Sequence, residues 1–141
     1  MIGWRLMQLH ADGTIRSDWL PREALDAAGV FTARCEHGHA PPVADCSCGV
    51  YVTEDPTPLL EWISTNPRRL YEWLVVCEGH LDGPVLDDPS MPVWPPTNVR
   101  CLRGSRFTVT RIHADPRAHH ADRAARRYGL PLQPLDLLET A

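Results

Sequence analysis

Three cysteines and a histidine, Cys35, His39, Cys46 and Cys48, fall within fourteen residues of one another. No other feature constrains the fold of this chain as strongly. The segment reads Cys-Glu-His-Gly-His-Ala-Pro-Pro-Val-Ala-Asp-Cys-Ser-Cys-Gly. Thiolate and neutral imidazole are the ligands of tetrahedral zinc, which has no geometric preference from d-electrons and so tolerates irregular spacing. A loop that carries such a set must close on itself. Cys46-Ser47-Cys48-Gly49 supplies a compact ligand pair, and Gly49 permits a positive φ that aims a backbone amide at a sulfur. Cys35 is the third ligand. For the fourth, Cys35-x-His37 is too tight for both side chains to converge easily, so His39 is preferred over His37. Pro41-Pro42 stiffens the return to Cys46.

Other readings of the cluster stay open at this level. An iron–sulfur site has the Cys-x-His half of a Rieske-like pattern but lacks the matching Cys-x-x-His. A metal-free set of thiols, or a disulfide, is a second alternative. A catalytic zinc is disfavoured, because hydrolytic zinc takes His and carboxylate ligands and keeps an open position. The zinc-deaminase signature needs a His-x-Glu and a Pro-Cys-x-x-Cys, and Cys35-Glu36-His37 does not supply it. Glycine-rich phosphate loops, the Gly-x-Ser-x-Gly elbow and His-Glu-x-x-His are all missing from the sequence. No catalytic residue is assigned. Cys77 and His80 have ligand-pair spacing but lie in a predicted strand, where positions three apart point to opposite faces. Cys101 reads as core, and His119-His120 as a solvated pair.

Length and composition fit one soluble α+β domain over residues 1–141. No apolar run approaches the roughly 18–20 residues that cross a bilayer. The N-terminus lacks the pattern of a secretory leader. The expected compartment is therefore the reducing cytoplasm, where clustered cysteines favour metal over disulfide.

Charge is unevenly spread. Residues 1–97 hold six Arg against fourteen acidic residues, while residues 98–128 hold eight Arg against two. Such a basic block either meets a partner or packs against the acidic half of its own chain. As a partner surface it comprises Arg100, Arg103, Arg106, Arg111, Arg123, Arg126 and Arg127.

Trp4 to Ser17 reads as a hairpin around Asp12-Gly13. A short helix is expected next, capped by Ser17 or Asp18, with Pro21 in its first turn and Gly29 at its end. Val30–Ala33 and Val50–Thr53 are extended on either side of the cysteine loop. Thr57-Pro58 opens a second helix with Leu59, Leu60 and Ile63 on one side. Tyr71 to Leu81 is a buried strand. Residues 82–97 hold five prolines and read as loop. Asn98–Arg103 and Arg106–His113 read as strands paired around Gly104-Ser105. The clearest helix runs from about Pro116 to Tyr128, capped by Asp115 and ended by Gly129, with Ala118, Ala121, Ala124, Ala125 and Tyr128 on one face. Residues 130–141 read as a tail that packs loosely.

Residues 33–52, with Cys35, His39, Pro42 and Cys46-x-Cys48-Gly49-Val50-Tyr51, resemble small zinc-cluster proteins of high-GC bacteria and their phages. In these a Trp-containing N-terminal hairpin precedes the cluster, and a helix ending like Arg127-Tyr128-Gly129-Leu130-Pro131 follows it. The resemblance implies the same four ligands and brings no activity with it. The reading taken forward is a mainly antiparallel α+β domain with two or three helices and a zinc-pinned loop. Its expected role is that of a non-enzymatic binding or regulatory module whose arginines engage nucleic acid or an acidic protein surface, away from any membrane. A metal-dependent enzyme, or a structural or host-interaction protein, is the alternative.

Overall fold

Asp12-Gly13 turns the chain as the sequence predicts. Asp12 Oδ1 accepts from Thr14 N (2.9 Å) and Thr14 Oγ1 (2.6 Å), and Gly13 takes φ 83°. The turn joins β1 (Ile2–Leu9) to β2 (Ile15–Ser17), which pair antiparallel from Met7↔Ser17 to Leu9↔Ile15. The computed structural model describes residues 1–17, 23–65, 70–87 and 101–135. Within them follow β3 (Val30–Thr32), β4 (Val50–Thr53), α1 (Thr57–Thr65), a single 3-10 turn (Leu70–Glu72) and β5 (Leu74–Asp82). The chain continues through β6 (Leu86–Asp87), β7 (Cys101–Gly104), β8 (Arg106–Ala114), α2 (Ala121–Tyr128) and β9 (Leu132–Pro134).

The strands form one sheet in the order β3-β8-β5-β1-β4-β7-β6, with β2 added to β1 and β9 to β8. All pairings are antiparallel except β8 with β9. This bears out a mainly antiparallel α+β domain with two helices among the described residues. The predicted pairing around Gly104-Ser105 is a correction. β7 pairs with β4 and β6, and β8 pairs with β3, β5 and β9. A single residue, Ser105, separates β7 from β8, and its polar groups serve other segments: Ser105 Oγ donates to Asp82 O (2.9 Å), and Ser105 O accepts from Ala33 N (2.9 Å).

That one-residue link dictates the shape of the sheet. β7 lies four strand positions from β8, about 19 Å away if the sheet were flat. Three consecutive residues span only about 7 Å. The sheet therefore folds over, and the chain runs through a bend at Ser105 from one half to the other. Gly104 touches the opposite half directly: a Cβ there would lie 2.6 Å from Leu81 Cγ on β5.

Both faces of the central strands are covered, which explains the unbroken apolar run Leu74-Val75-Val76-Cys77. One face holds the main core, with Met7, Ile15, Val50, Val52, Val75, Leu102, Phe107 and Ile112 essentially inaccessible. The other packs Leu6 and Val76 against Leu59 and Ile63 of α1. Burial of two such side chains contributes roughly 1.5–3 kcal/mol each and holds α1 in place. Cys77 points into the core and His80 to solvent, as strand periodicity requires.

Helix α2 closes the main core through Ala121, Ala124 and Tyr128. It begins five residues later than predicted. The Asp115 carboxylate accepts from Arg117 N (2.8 Å), Nε (2.8 Å) and Nη2 (3.0 Å), so it builds a separate turn and does not cap the helix. The C-terminus follows expectation: Gly129 is left-handed at φ 62°, and Leu130 N returns to Ala125 O (2.9 Å). The helix expected before Gly29 is not found in the described residues 23–29, which instead form a bridge from Ala24 to Arg16 and a turn on the Asp26 side chain. Residues 18–22 lie outside the described part, as do Asn66-Pro67 and Asn98–Arg100. In the C-terminal segment, Leu132–Pro134 joins the sheet edge and Leu135 is buried; residues 136–141 are outside the described part. No helix among the described residues is long and apolar enough to cross a membrane.

Candidate metal centre

Both ends of the cysteine loop are fixed at the same bend. Residue 33, just after β3, donates its amide to Ser105 O, and β4 starts with Val50 opposite Gly104. The sheet thus brings the flanks of residues 34–49 together before any ligand is considered. Inside the loop, Gly38 (φ 81°) closes a turn with its amide on Cys35 O (3.1 Å), and Cys46 N closes another on Val43 O (3.0 Å). The Pro41-Pro42 peptide is cis. Gly49 adopts φ 130°, and a Cβ there would lie 3.3 Å from both Arg103 Cβ and Gly104 O. Only glycine lets the loop lie this close to β7 in that conformation.

These turns bring Cys35, His39, Cys46 and Cys48 together, with one ligand atom from each inside a 4.8 Å radius of all the others. Cys35 Sγ and Cys46 Sγ are 3.6 Å apart, and His39 Nε2 is 3.2 Å from Cys48 Sγ. Bond lengths of about 2.3 Å to sulfur and about 2.0 Å to nitrogen give tetrahedral edges of about 3.5–3.8 Å, so the four atoms are spaced to hold a metal ion. The sulfurs are unbonded to one another. His37 stays outside the group; its ring centre is 6.3 Å from that of His39, and it lines a polar depression with His39, Asp45, Cys46 and Ser47.

The loop's amides are turned toward sulfur. His37 N lies 3.4 Å from Cys35 Sγ. The amide of Cys48 holds the Cys46 thiol below its ordinary range. Burial pushes Cys48 upward, opposed by the amide of Val43. Amides of this kind stabilise thiolate, the form that binds metal. By contrast Cys77, fully enclosed, is pushed up to about 12 by burial and behaves as a core residue.

No family model matches this chain, and no curated protein or solved structure matches it either.

The seven arginines do not share one surface. Arg103 is 3% exposed and lies under the cysteine loop, where Nη1 donates to Cys48 O (2.8 Å) and to Cys46 O, and Nη2 to Ala44 O (3.5 Å). Arg106 lies 4.0 Å from Asp82, and Arg111 3.8 Å from Glu78, both on β5. Arg123 packs on the β1–β2 turn, with its guanidinium on Ala11 O and its Cγ over Gly13. Arg126 and Arg127 are exposed on α2. Arg100 is outside the described residues. His119 is exposed, and His120 precedes α2 without a side-chain cap bond.

Sequence reasoning missed Tyr51. Its hydroxyl donates to Ser47 O, between the Cys46 and Cys48 carbonyls held by Arg103 Nη1, and the Arg103 guanidinium carbon lies 6.0 Å from its ring centre. Tyr51 and Arg103 are register partners on β4 and β7. The signal was strand alternation: with Leu102 and Val52 turned to the core, Arg103 and Tyr51 must share the other face.

Proposed function

We propose that this chain is a zinc-stabilised binding module without catalytic chemistry of its own. The observation that carries the reading is the convergence of Cys35, His39, Cys46 and Cys48 within 4.8 Å on a loop anchored at both ends to the sheet. Three thiolates and an imidazole complete a tetrahedral zinc shell and leave no position for substrate, which is the pattern of structural sites. When bound, the ion would supply cross-linking free energy to a loop with little apolar burial of its own. The thiols call for a compartment that keeps them reduced.

The partner surface is the exposed α2 face bearing Arg126 and Arg127. Nucleic acid, or an acidic protein surface, presents the complementary charge, and the planar guanidinium matches phosphate. Binding of a labelled DNA duplex measured across salt concentrations tests this half. Affinity is expected to fall steeply with salt and to collapse in an Arg126→Glu, Arg127→Glu double variant. Salt-independent binding, or none, would remove nucleic acid as the partner.

A further inference from the structure

The floor of the metal loop is built from two side chains that do not bind the metal. Arg103 and Tyr51 stand side by side on the face of β4 and β7 turned away from the main core. Together they meet the carbonyls of Ala44, Cys46, Ser47 and Cys48. Every residue of the Cys46-Ser47-Cys48 ligand segment thus has its carbonyl oxygen held by a sheet side chain. Orientation of those carbonyls fixes the peptide planes, and through them the directions of the two cysteine Cα–Cβ bonds.

We propose that Arg103, supported by Tyr51, is the positioning residue of the metal centre, setting the Cys46 and Cys48 thiolates for the ion and balancing the charge of the loaded site. Two observations converge on this. The first is geometric: one guanidinium bridges the carbonyls of both cysteines, which an isolated loop would leave to water. The second is electrostatic. A divalent ion held by three thiolates and a neutral imidazole keeps one net negative charge, and a half-buried site of that kind favours a nearby cation. Arg103 is a buried permanent cation within hydrogen-bond reach of the ligand residues' own backbone. Its planar fork suits two carbonyls, which a lysine ammonium does not reproduce. The metal and the sheet are thereby coupled: β7 reaches the loop through Arg103, and the Ser105 link that follows β7 holds Ala33 at the loop's leading end.

The inference rests on the zinc reading of the cluster, and the test separates the two. Cobalt(II) titration of the full chain, followed by its visible absorption and by zinc competition, gives affinity and site geometry together. Arg103→Met is expected to lower zinc affinity about 10–100-fold, the range found when groups supporting metal ligands are removed. Arg103→Lys should fall between wild type and Arg103→Met, and Tyr51→Phe should weaken binding with a smaller shift of the cobalt spectrum. Should Arg103→Met not fold, Arg103→Lys and Tyr51→Phe carry the test. A merely structural arginine would lower the melting temperature of metal-free and zinc-loaded protein equally. Here the gap between the two is expected to shrink. Variant affinities within about twofold of a zinc-binding wild type, with an unchanged gap, would overturn this inference alone. A wild type that takes up neither cobalt nor zinc would overturn the zinc reading itself.

Discussion

Arg103 and Tyr51 face each other across the β4–β7 ladder and between them hold the carbonyls of Ala44, Cys46, Ser47 and Cys48. The relationship joins the loop to the fold. The loop's flanks are set by the bend at Ser105, its middle rests on this pair, and its four ligand atoms converge above them. A residue whose chemistry resembles a surface cation is instead buried beneath the cysteine loop and bonded to its backbone.

Gly49 lies close against β7. Gly49→Ala combines a backbone conformation rare for L residues with a Cβ 3.3 Å from Arg103 Cβ and Gly104 O. The expected cost is about 1–3 kcal/mol in denaturant unfolding of the metal-loaded protein. A weakened hold on zinc should accompany it. Unfolding coincident with wild type would show that the loop can lift away from β7 freely.

Tyr128 ties the last turn of α2 to the first hairpin. Its hydroxyl accepts from Ile15 N (3.1 Å) and reaches Leu25 O (3.5 Å) inside the core. Tyr128→Phe keeps the ring and leaves a buried amide without an acceptor, so stability should fall by roughly 1–3 kcal/mol. Thermal unfolding checks this, and an unchanged melting temperature would mean that water reaches Ile15 N.

Asp12 gives the hairpin an acid-side dependence. The Thr14 hydroxyl, then the Thr14 amide, with Arg16 adding to them, lower its pKa from 3.8 to about 2. The folded-state value lies below the unfolded one, so the stabilisation is present above pH 4 and is lost as pH falls from there toward 2. Asp12→Asn should flatten that part of the stability–pH curve, lowering stability above pH 4 toward its acid-side level. A wild-type slope in the variant would assign the acid sensitivity to other carboxylates.

Local signals in the sequence were reliable wherever the responsible group acts nearby. Asp12-Gly13 fixed the first turn, and Gly129 with Leu130 ended α2 as expected. The spacing of Cys35, His39, Cys46 and Cys48 singled out the four side chains that the structure brings together, with His37 outside the group. What escaped depends on distant partners. Gly104-Ser105 resembles a turn until Asp82 and Ala33 are seen to use the polar groups of Ser105. Asp115 is the local exception: its carboxylate is taken by Arg117, two residues on, and the helix starts at Ala121. Arg103 was grouped with the other arginines because charge alone suggests a surface. Only the β4–β7 pairing, which places it beside Tyr51 under the loop, reveals its burial.

The central claim is that a metal ion closes the loop of residues 34–49. Metal analysis of protein purified without chelator, paired with thermal unfolding before and after chelation and with the same measurements on Cys48→Ser, tests it most directly. One zinc per chain is expected, with a clear loss of thermal stability on chelation that added zinc restores, and loss of both metal and stability in Cys48→Ser. A folded protein that carries no metal, and whose unfolding is the same with and without zinc and in Cys48→Ser, would contradict it.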